Sequence, residues 1–277
     1  KMMEELPLVS GFFVIEQQLR THTKMGWTIV GKIPEYIKIL NPRKVFLNMD
    51  LNSAHQMPAW LRKISNANKR LGWIVGANII HAVLHIYYGF CKTLVSHEKR
   101  SRIVIRTVEQ FDERMDEFWS QVKYNISCAQ VRNARYLNWM FPHKQGWVKI
   151  VYEEDAKISG YALLAQRSFD KGDLLRGLST LSIIDILWDS QKDYVLNSLI
   201  LWIERFAIER NADLIIASLN NNKARSHFIN HGYTRIPSTV HFAFHNANDN
   251  LRLSEKISDW FVTRGDADAA GSLGPKR

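Results

Sequence analysis

Asp185 is a candidate general base, because its carboxyl group lies within the apolar run Leu181 to Trp188. A carboxyl group in such surroundings has a raised pKa unless a cation pairs with it, and a raised pKa suits a base. Two structural interpretations remain open. Asp185 lies on a polar face of its strand, or it pairs with Arg167 or Arg176.

A second cluster combines arginines with aromatic side chains and suits the binding of a polar substrate. Its members are Arg132, Arg135, Tyr136 and Trp139. Aromatic rings stack on sugars, and guanidinium groups bind carboxylates and phosphates through paired hydrogen bonds. We predict that the cluster lines an acceptor groove; the alternative is a core Trp and Tyr with arginines that face solvent.

The cysteines and histidines do not predict a metal site. Cys91 and Cys128 lie far apart and neither belongs to a CxxC pair, which argues against a disulfide framework or zinc and fits a reducing cytoplasm. His81 and His85 are four residues apart and share a helix face, but no third ligand is nearby. Packed histidines are therefore the favoured interpretation.

The net charge of +10 favours anionic partners such as nucleotide phosphates, RNA or an acidic membrane surface. Simple solubility explains the charge equally well. The sequence has no long Lys or Arg run, so we expect no nucleic-acid arm and no DNA partner.

The segment Leu71 to Cys91 contains no Asp, Glu, Lys or Arg and is long enough to span a membrane. Its glycines, histidines and tyrosines favour a helix packed between domains instead. An interfacial helix on acidic lipid is the second interpretation, because basic residues flank the segment. We expect a cytoplasmic protein, with peripheral membrane contact as the alternative.

Hydrophobic periodicity predicts alternating strands and helices from residue 103 onward. A capping-box pattern, Ser190 with Asp193, marks the start of the longest helix, and Gly232 marks the end of the next one. The order predicts an α/β (α+β) fold with a mixed central sheet flanked by helices. The predicted strands are Ile103–Val108, Trp147–Tyr152, Ile158–Arg167, Leu181–Trp188, Leu214–Leu219, Tyr233–Ile236 and Thr239–His245, and the helices are Phe111–Val122, Lys192–Arg210 and Asn221–His231.

The sequence contains no GxGxxG, Walker, GxSxG or HExxH motif, so dinucleotide binding, nucleotide hydrolysis, serine hydrolysis and zinc proteolysis have no motif support. Its element order resembles the GNAT acyltransferase fold, and three segments carry the resemblance. Phe111 to Phe141 is similar to the start of the C-terminal domain in tandem GNAT-like proteins of bacterial surface-polysaccharide pathways. Asn221 to Ile236 is similar to the N-x-x-A-x-x-x-Y-x-x-x-G-F helix, and Asp259 to Ala269 to the C-terminal ending of those proteins.

A fourth segment, Lys24 to Leu40, resembles the end of such a domain. The resemblance therefore implies a remnant of a first GNAT-like domain in residues 1–45 and a linker with the uncharged helix in 46–102. A complete GNAT-like acyltransferase domain would occupy 103–266, and a flexible tail 267–277.

The resemblance implies acetyl-CoA or another acyl-CoA as donor, with its pyrophosphate at the amino end of the helix after the central strand. The family's Q/R-x-x-G-x-G/A signature falls on Gln191 to Leu196, but Tyr194 and Leu196 replace the glycines. Asp189 and Asp193 would repel phosphates, and Lys192 compensates only partly. A helix cap without a ligand is the alternative. The implied donor-binding residues are Leu187, Gln191, Lys192, Tyr194, Asn221, Ala224 and Phe228.

The family's general acid is often the tyrosine of the N-x-x-A-x-x-x-Y helix, and Phe228 stands at that position. A phenylalanine cannot donate a proton, so its neighbours Tyr233 and His227 are the candidate substitutes. With Asp185, they complete the predicted catalytic set.

The resemblance implies an N-acyltransferase in which an amine acceptor, such as an amino-sugar, attacks the thioester directly while backbone N–H groups stabilise the oxyanion. No metal takes part. Two alternatives remain open. One is Fem-type transfer from aminoacyl-tRNA, which suits the basic charge. The other is a binding module that has lost its cofactor site, to which Phe228 and the missing glycines point.

Overall fold

A computed structural model gives the architecture and describes residues 8–14, 16–48, 79, 82–84, 86–88, 103–143, 146–168, 177–238, 240–246 and 253–266. The strands are β1 Leu8–Val14, β2 Thr28–Lys32, β3 Glu35–Ile39, β4 Ile103–Val108, β5 Cys128–Ala129, β6 Val148–Glu154, β7 Lys157–Ser168, β8 Ser179–Trp188, β9 Leu214–Ser218, β10 Thr234–Ile236, β11 His241–Asn246 and β12 Trp260–Phe261. The helices are α1 Glu16–Lys24, α2 Pro42–Asn48, α3 Glu113–Val122, α4 Ala134–Met140, α5 Asp193–Glu209 and α6 Asn222–Asn230.

A seven-stranded sheet in the order β10-β3-β9-β8-β7-β6-β4 forms the centre of the molecule. Its β8–β9 pair is parallel and its other neighbours are antiparallel. Helices cover both faces, as two successive residues of β7 show: Gly160 faces Val195 of α5, while Tyr161 contacts Phe118 of α3. The predicted mixed central sheet with flanking helices is confirmed.

Two of the turns have positive φ angles. Asp155 and Ala156 connect β6 to β7 with φ values of 50° and 63°, as a two-residue hairpin turn requires. Gly232 ends α6 with a φ of 84°, and the N–H of Tyr233 donates to the carbonyl of Phe228. The predicted stop of this helix is therefore confirmed.

The parallel strands β8 and β9 pair along only part of their length. Their register runs from Thr180 opposite Leu214 to Ile183 opposite Ala217. Beyond that point β8 continues to Trp188, still paired with β7, while β9 ends at Ser218. The last five residues of β8, Ile184 to Trp188, therefore have no partner on β9, and we call the space beside them the gap between β8 and β9.

The segment that resembles the end of another domain is part of this same sheet. Strand β3 lies between β9 and β10, with Tyr36 opposite both Ala217 and Arg235. Strand β2 instead joins β11 and β1 in a three-stranded sheet. The division of the chain into a remnant, a linker and a complete domain stays a prediction.

Most of the uncharged segment, with His81 and His85, lies outside the described residues. Its described part is helical at residues 79, 82–84 and 86–88, and the Tyr88 hydroxyl accepts a hydrogen bond from the N–H of Ile39. Among the helices that the structure describes, none is long and apolar enough to cross a bilayer.

Candidate functional site

The segment Thr263–Asp266 fills the part of the gap between β8 and β9 that lies beside Ile184 and Asp185. Thr263 forms an antiparallel bridge with Leu219, directly after β9. Gly265 lies against β8, where an added Cβ would be 3.2 Å from the carbonyl oxygen of Ile184. A Cβ at this distance would be tighter than most real Cβ contacts, so a glycine suits the position.

A buried charge cluster holds this segment in place. Arg132 is 1% exposed, and its Nη2 donates to the Asp266 carboxylate at 2.7 and 2.9 Å. Its Nε donates to Asp185 at 3.1 Å. Burial lowers the pKa of Arg132, but the charges of Asp185 and Asp266 outweigh burial and raise it, so the guanidinium stays protonated. Burial raises the pKa of Asp266, against the effect of Arg132.

The structure corrects the predicted surroundings of Asp185. It is 3% exposed, and its carboxylate accepts hydrogen bonds from Arg132, Tyr161 and Thr263 at 3.1, 2.5 and 2.9 Å. The partner is thus Arg132, not Arg167, while Arg176 lies outside the described residues. Because these bonds occupy the carboxylate and Asp185 is not among the residues that line the cavities below, the geometry does not favour its predicted role as a base.

At the far end of the gap, β8 ends beside a small, partly open cavity of about 50 Å³. Trp188 lines it, and its indole Nε1 is buried without a hydrogen-bond partner among the described residues. The complete lining is Val122, Asn125, Ile126, Leu187, Trp188, Ser190, Asn221 and Phe261. Leu187 and Asn221, both predicted donor-binding residues, are therefore brought together here.

A larger depression of about 530 Å³, which we call the basin, adjoins this cavity and shares five of its lining residues: Asn125, Ile126, Ser190, Asn221 and Phe261. The basin also contains the first turn of α6, where the Asn221 side chain accepts a hydrogen bond from the N–H of Ala224. Its wall carries four basic residues and one acidic residue: Lys32, Lys223, Arg225, Arg235 and Asp259.

The amino end of α5, the predicted pyrophosphate site, is already occupied by side chains of the protein. The Nζ of Lys192 lies 3.0 Å from Glu154 Oε2, and the Tyr194 hydroxyl donates to the same carboxylate. The N–H of Gln191 donates to Asp189 at 3.0 Å. The predicted capping box is wrong, because Lys192 is the N-cap residue and makes no side-chain cap bond.

The predicted proton donors do not lie near Asp185. Tyr233 is buried against Phe228 at a centroid distance of 4.8 Å, and burial raises its pKa well above the usual value. His227 lies between α6 and α5, where its Nδ1 is 2.7 Å from Asn197 Oδ1, and burial lowers its pKa. Phe228 and Ala224 are fully buried. These four residues do not line the cavity or the basin.

The predicted acceptor cluster separates into two parts. Arg132 belongs to the buried charge cluster, whereas Arg135, Tyr136 and Trp139 line an open groove of about 460 Å³. Trp139 is 72% exposed, and its ring lies 6.0 Å from that of Tyr136. The groove offers an aromatic surface beside a guanidinium group.

Several lining residues of the basin escaped the sequence analysis. Lys32 is the last residue of β2, Tyr36 lies on β3 and Arg235 lies on β10. The alternating pattern of β3 was a usable signal for a strand, but no local signal pairs it with β9. Trp188 was identified only as the end of a strand. Among the described residues, no group of His, Cys, Asp and Glu is arranged to hold a metal ion.

Comparison with known proteins finds no matching family model and no matching curated protein. Solved structures are similar at low identity. A probable N-acyltransferase of unknown function from Enterococcus faecalis has a TM-score of 0.48 and 9% identity, over 89% of this chain and 49% of that one. Saccharomyces cerevisiae N-myristoyltransferase with bound myristoyl-CoA has 0.48 and 12%, over 79% and 51%. A GNAT family acetyltransferase from Staphylococcus aureus has 0.33 and 15%, over 42% and 84%. At these values the similarity concerns the fold alone.

Proposed function

We propose that the chain is an N-acyltransferase that moves a short acyl group from a thioester such as acetyl-CoA to an amine. The observation that carries the proposal is the end of β8–β9 pairing at Ile183 and Ala217, with a small cavity at the end of β8. Ligands of open α/β sheets bind at the carboxyl ends of strands, where the sheet opens a crevice. The cavity and the basin lie at that end of β8.

The volume of the cavity suits a small acyl group. A water molecule needs roughly 10–15 Å³ of such volume, so about 50 Å³ holds on the order of three or four heavy atoms. An acetyl group has three. The largely apolar lining, with Leu187 and Phe261, suits its methyl group.

The transfer itself needs few side chains. The amine nitrogen attacks the carbonyl carbon, the C–S bond breaks, and the thiolate leaves with the electron pair. The ammonium proton passes to water, because the residues that line the cavity include no carboxylate and no histidine. Backbone N–H groups in the part of β8 that is not paired with β9 would stabilise the oxyanion.

The groove at Arg135, Tyr136 and Trp139 is the proposed contact for the acceptor. Its exposed indole suits the face of an amino-sugar, and Arg135 suits an anionic substituent on it. Replacement of Trp139 by Ala would raise KM for such an acceptor and leave kcat nearly unchanged.

Calorimetric titration with acyl-CoA compounds of increasing chain length tests the proposal. We expect acetyl-CoA to bind and decanoyl-CoA to bind at least about tenfold more weakly, a difference of roughly 1.4 kcal/mol. Ser190→Leu would fill the cavity and weaken acetyl-CoA binding. Ser120→Leu, at an exposed position of α3, is the matched control. Absence of heat and of a thermal shift at millimolar acetyl-CoA would remove the proposal.

A second candidate is a ligand-binding module without catalysis. The observation that favours it is the position of Thr263–Asp266 in the gap beside Asp185, where the Thr263 hydroxyl donates a hydrogen bond to the Asp185 carboxylate. Such a module would bind acetyl-CoA without consuming it in the presence of a panel of amines. Thiol release above the rate without protein distinguishes the enzyme from the module.

A further inference from the structure

We propose that Tyr36, Arg225 and Arg235 form a phosphate-binding subsite in the basin, which takes the place of the amino end of α5. The ligand class is the phosphate group of a small molecule. The inference rests on the proposed function only for the identity of that molecule as a CoA thioester. The location of the subsite depends on the contacts described next.

Tyr36 supplies a hydroxyl group without a partner at the wall of the basin. The residue is 1% exposed and lines the basin, and its hydroxyl has no hydrogen-bond partner among the described residues. Its ring stacks on Phe228 at 5.5 Å with an interplanar angle of 15°, which fixes its direction. The hydroxyl oxygen itself is reachable from the basin, because it is not one of the fully buried polar atoms of the described residues. A ligand in the basin would replace solvent as its hydrogen-bond partner.

Two guanidinium groups converge on this hydroxyl from different elements. Arg235 is the cross-strand partner of Tyr36 on β10, so the two side chains lie on the same face of the sheet. Arg225 precedes Phe228 by one helical turn and therefore lies on the same side of α6 as the residue that stacks on Tyr36. In the described part of the chain, neither arginine forms an ion pair or a side-chain hydrogen bond.

The protonation of Tyr36 suits an anionic ligand. Burial raises the pKa of the hydroxyl, and the charges of Arg235 and Arg225 oppose this effect without outweighing it. The phenol is therefore neutral at neutral pH and donates a hydrogen bond. Two guanidinium groups beside an O–H donor match the oxygens and the charge of a phosphate.

The remaining charges of the basin leave an excess of positive charge. Lys32 lines the same wall, and Lys223 is held by the carbonyl oxygen of Ser190 at 2.6 Å. The one carboxylate in the lining is Asp259, whose pKa is lowered by hydrogen bonds from Ser254 and Ser258. Among the described residues, neither Arg225 nor Arg235 pairs with Asp259, so the arginines remain available to a ligand.

The amino end of α5 lacks this availability. Its only lysine, Lys192, is paired with Glu154, and Asp189 and Asp193 add negative charge there. Binding of a phosphate at that end would require the Lys192 pair to open. In the basin, a phosphate meets Arg225 and Arg235, which have no side-chain partner among the described residues, whereas Lys223 is already paired with Asp193 at 3.8 Å.

Calorimetric titration of CoA, inorganic pyrophosphate and bulk tRNA into the full chain and its variants tests the subsite. We expect Arg225→Gln and Arg235→Gln each to weaken CoA and pyrophosphate binding at least about tenfold, and Tyr36→Phe about fivefold. Lys192→Gln and the exposed control Arg205→Gln should change binding less than about twofold. Thermal melting of each variant verifies that it is folded.

The outcomes separate the two proposals. If CoA binds and only Lys192→Gln weakens it, the subsite is overturned and the proposed function stands. If pyrophosphate binds through the arginines while CoA does not, the subsite is supported and the proposed function fails. If tRNA alone binds, with a steep salt dependence, or if no probe binds, the small-molecule subsite is overturned.

Discussion

Replacement of Arg132 by Met tests how the C-terminal segment is held in the gap between β8 and β9. The guanidinium is the cation shared by Asp185 and Asp266, both nine-tenths buried or more. Its removal leaves two carboxylates in the interior without a counter-charge. The loss of one partner from a buried pair costs about 3–5 kcal/mol. We expect a loss in that range at pH 7, a large part of the ~5–15 kcal/mol that stabilises a typical domain.

Replacement of Asp266 by Asn is the informative comparison. It leaves Arg132 and Asp185 as a balanced pair and removes a carboxylate whose pKa is raised by burial. We therefore expect a smaller loss, about 1–3 kcal/mol, from the altered hydrogen bonds to Arg132 and to the N–H of Thr263.

The pH dependence has a defined sign. Because the pKa of Asp266 is higher in the folded than in the unfolded chain, its contribution to stability is fully present below the unfolded pKa. That contribution is lost as the pH rises through the folded pKa. An asparagine does not titrate, so the Asp266→Asn variant does not lose this contribution. The difference between its free energy of unfolding and that of the natural sequence should therefore shrink as the pH rises.

Urea denaturation followed by circular dichroism, at steps from about pH 4, near the unfolded pKa of an Asp, to about pH 7, provides the free energies of unfolding. Equal losses for the two variants would refute the reasoning, as would an Arg132→Met protein within about 0.5 kcal/mol of the natural sequence. If Arg132→Met does not fold, the pH trend of Asp266→Asn alone decides the question.

Three further substitutions have defined outcomes in the same assay. Gly160→Ala places a methyl group 2.7 Å from the Val195 Cγ1, so we expect a loss of about 1–3 kcal/mol; no loss would show that α5 shifts freely. Asn221→Ala removes the N-cap of α6 and part of the cavity wall, which should cost about 1 kcal/mol and weaken acetyl-CoA binding; unchanged binding would place the ligand elsewhere. Lys38→Met removes the cation 2.7 Å from the buried Glu204 and leaves His231, whose Nδ1 is 3.5 Å from the same carboxylate, as its remaining basic neighbour; we expect a cost of about 3–5 kcal/mol, and a neutral result would mean that His231 alone compensates Glu204.

The sequence predicts the secondary structure of residues 103–246 well because that information is local. The strand Ile103–Val108 has the predicted bounds, and helix α5 differs from its prediction by one residue at each end. Alternation, helical spacing and the Gly232 stop operate over a few residues. The helix Ala134–Met140 was not predicted as a separate element, because its Arg and aromatic residues were interpreted as a binding cluster.

The candidate site is less predictable because it joins distant parts of the chain. Arg132 contacts Asp185 and Asp266, which lie far along the sequence, and no local pattern marks that partnership. Tyr36 reaches the basin only because β3 enters the sheet beside β9. The resemblance implies that the donor phosphates bind at Gln191 to Leu196, but in the folded chain Lys192 forms an ion pair with Glu154.

A crystal structure of the chain with acetyl-CoA would test the central claim most directly. The prediction is an acetyl group in the cavity beside Leu187 and Trp188, the thioester at the end of β8, and phosphate oxygens within hydrogen-bond distance of Tyr36 and Arg235. Phosphates bound at Lys192, or an acetyl group outside the gap between β8 and β9, would contradict it.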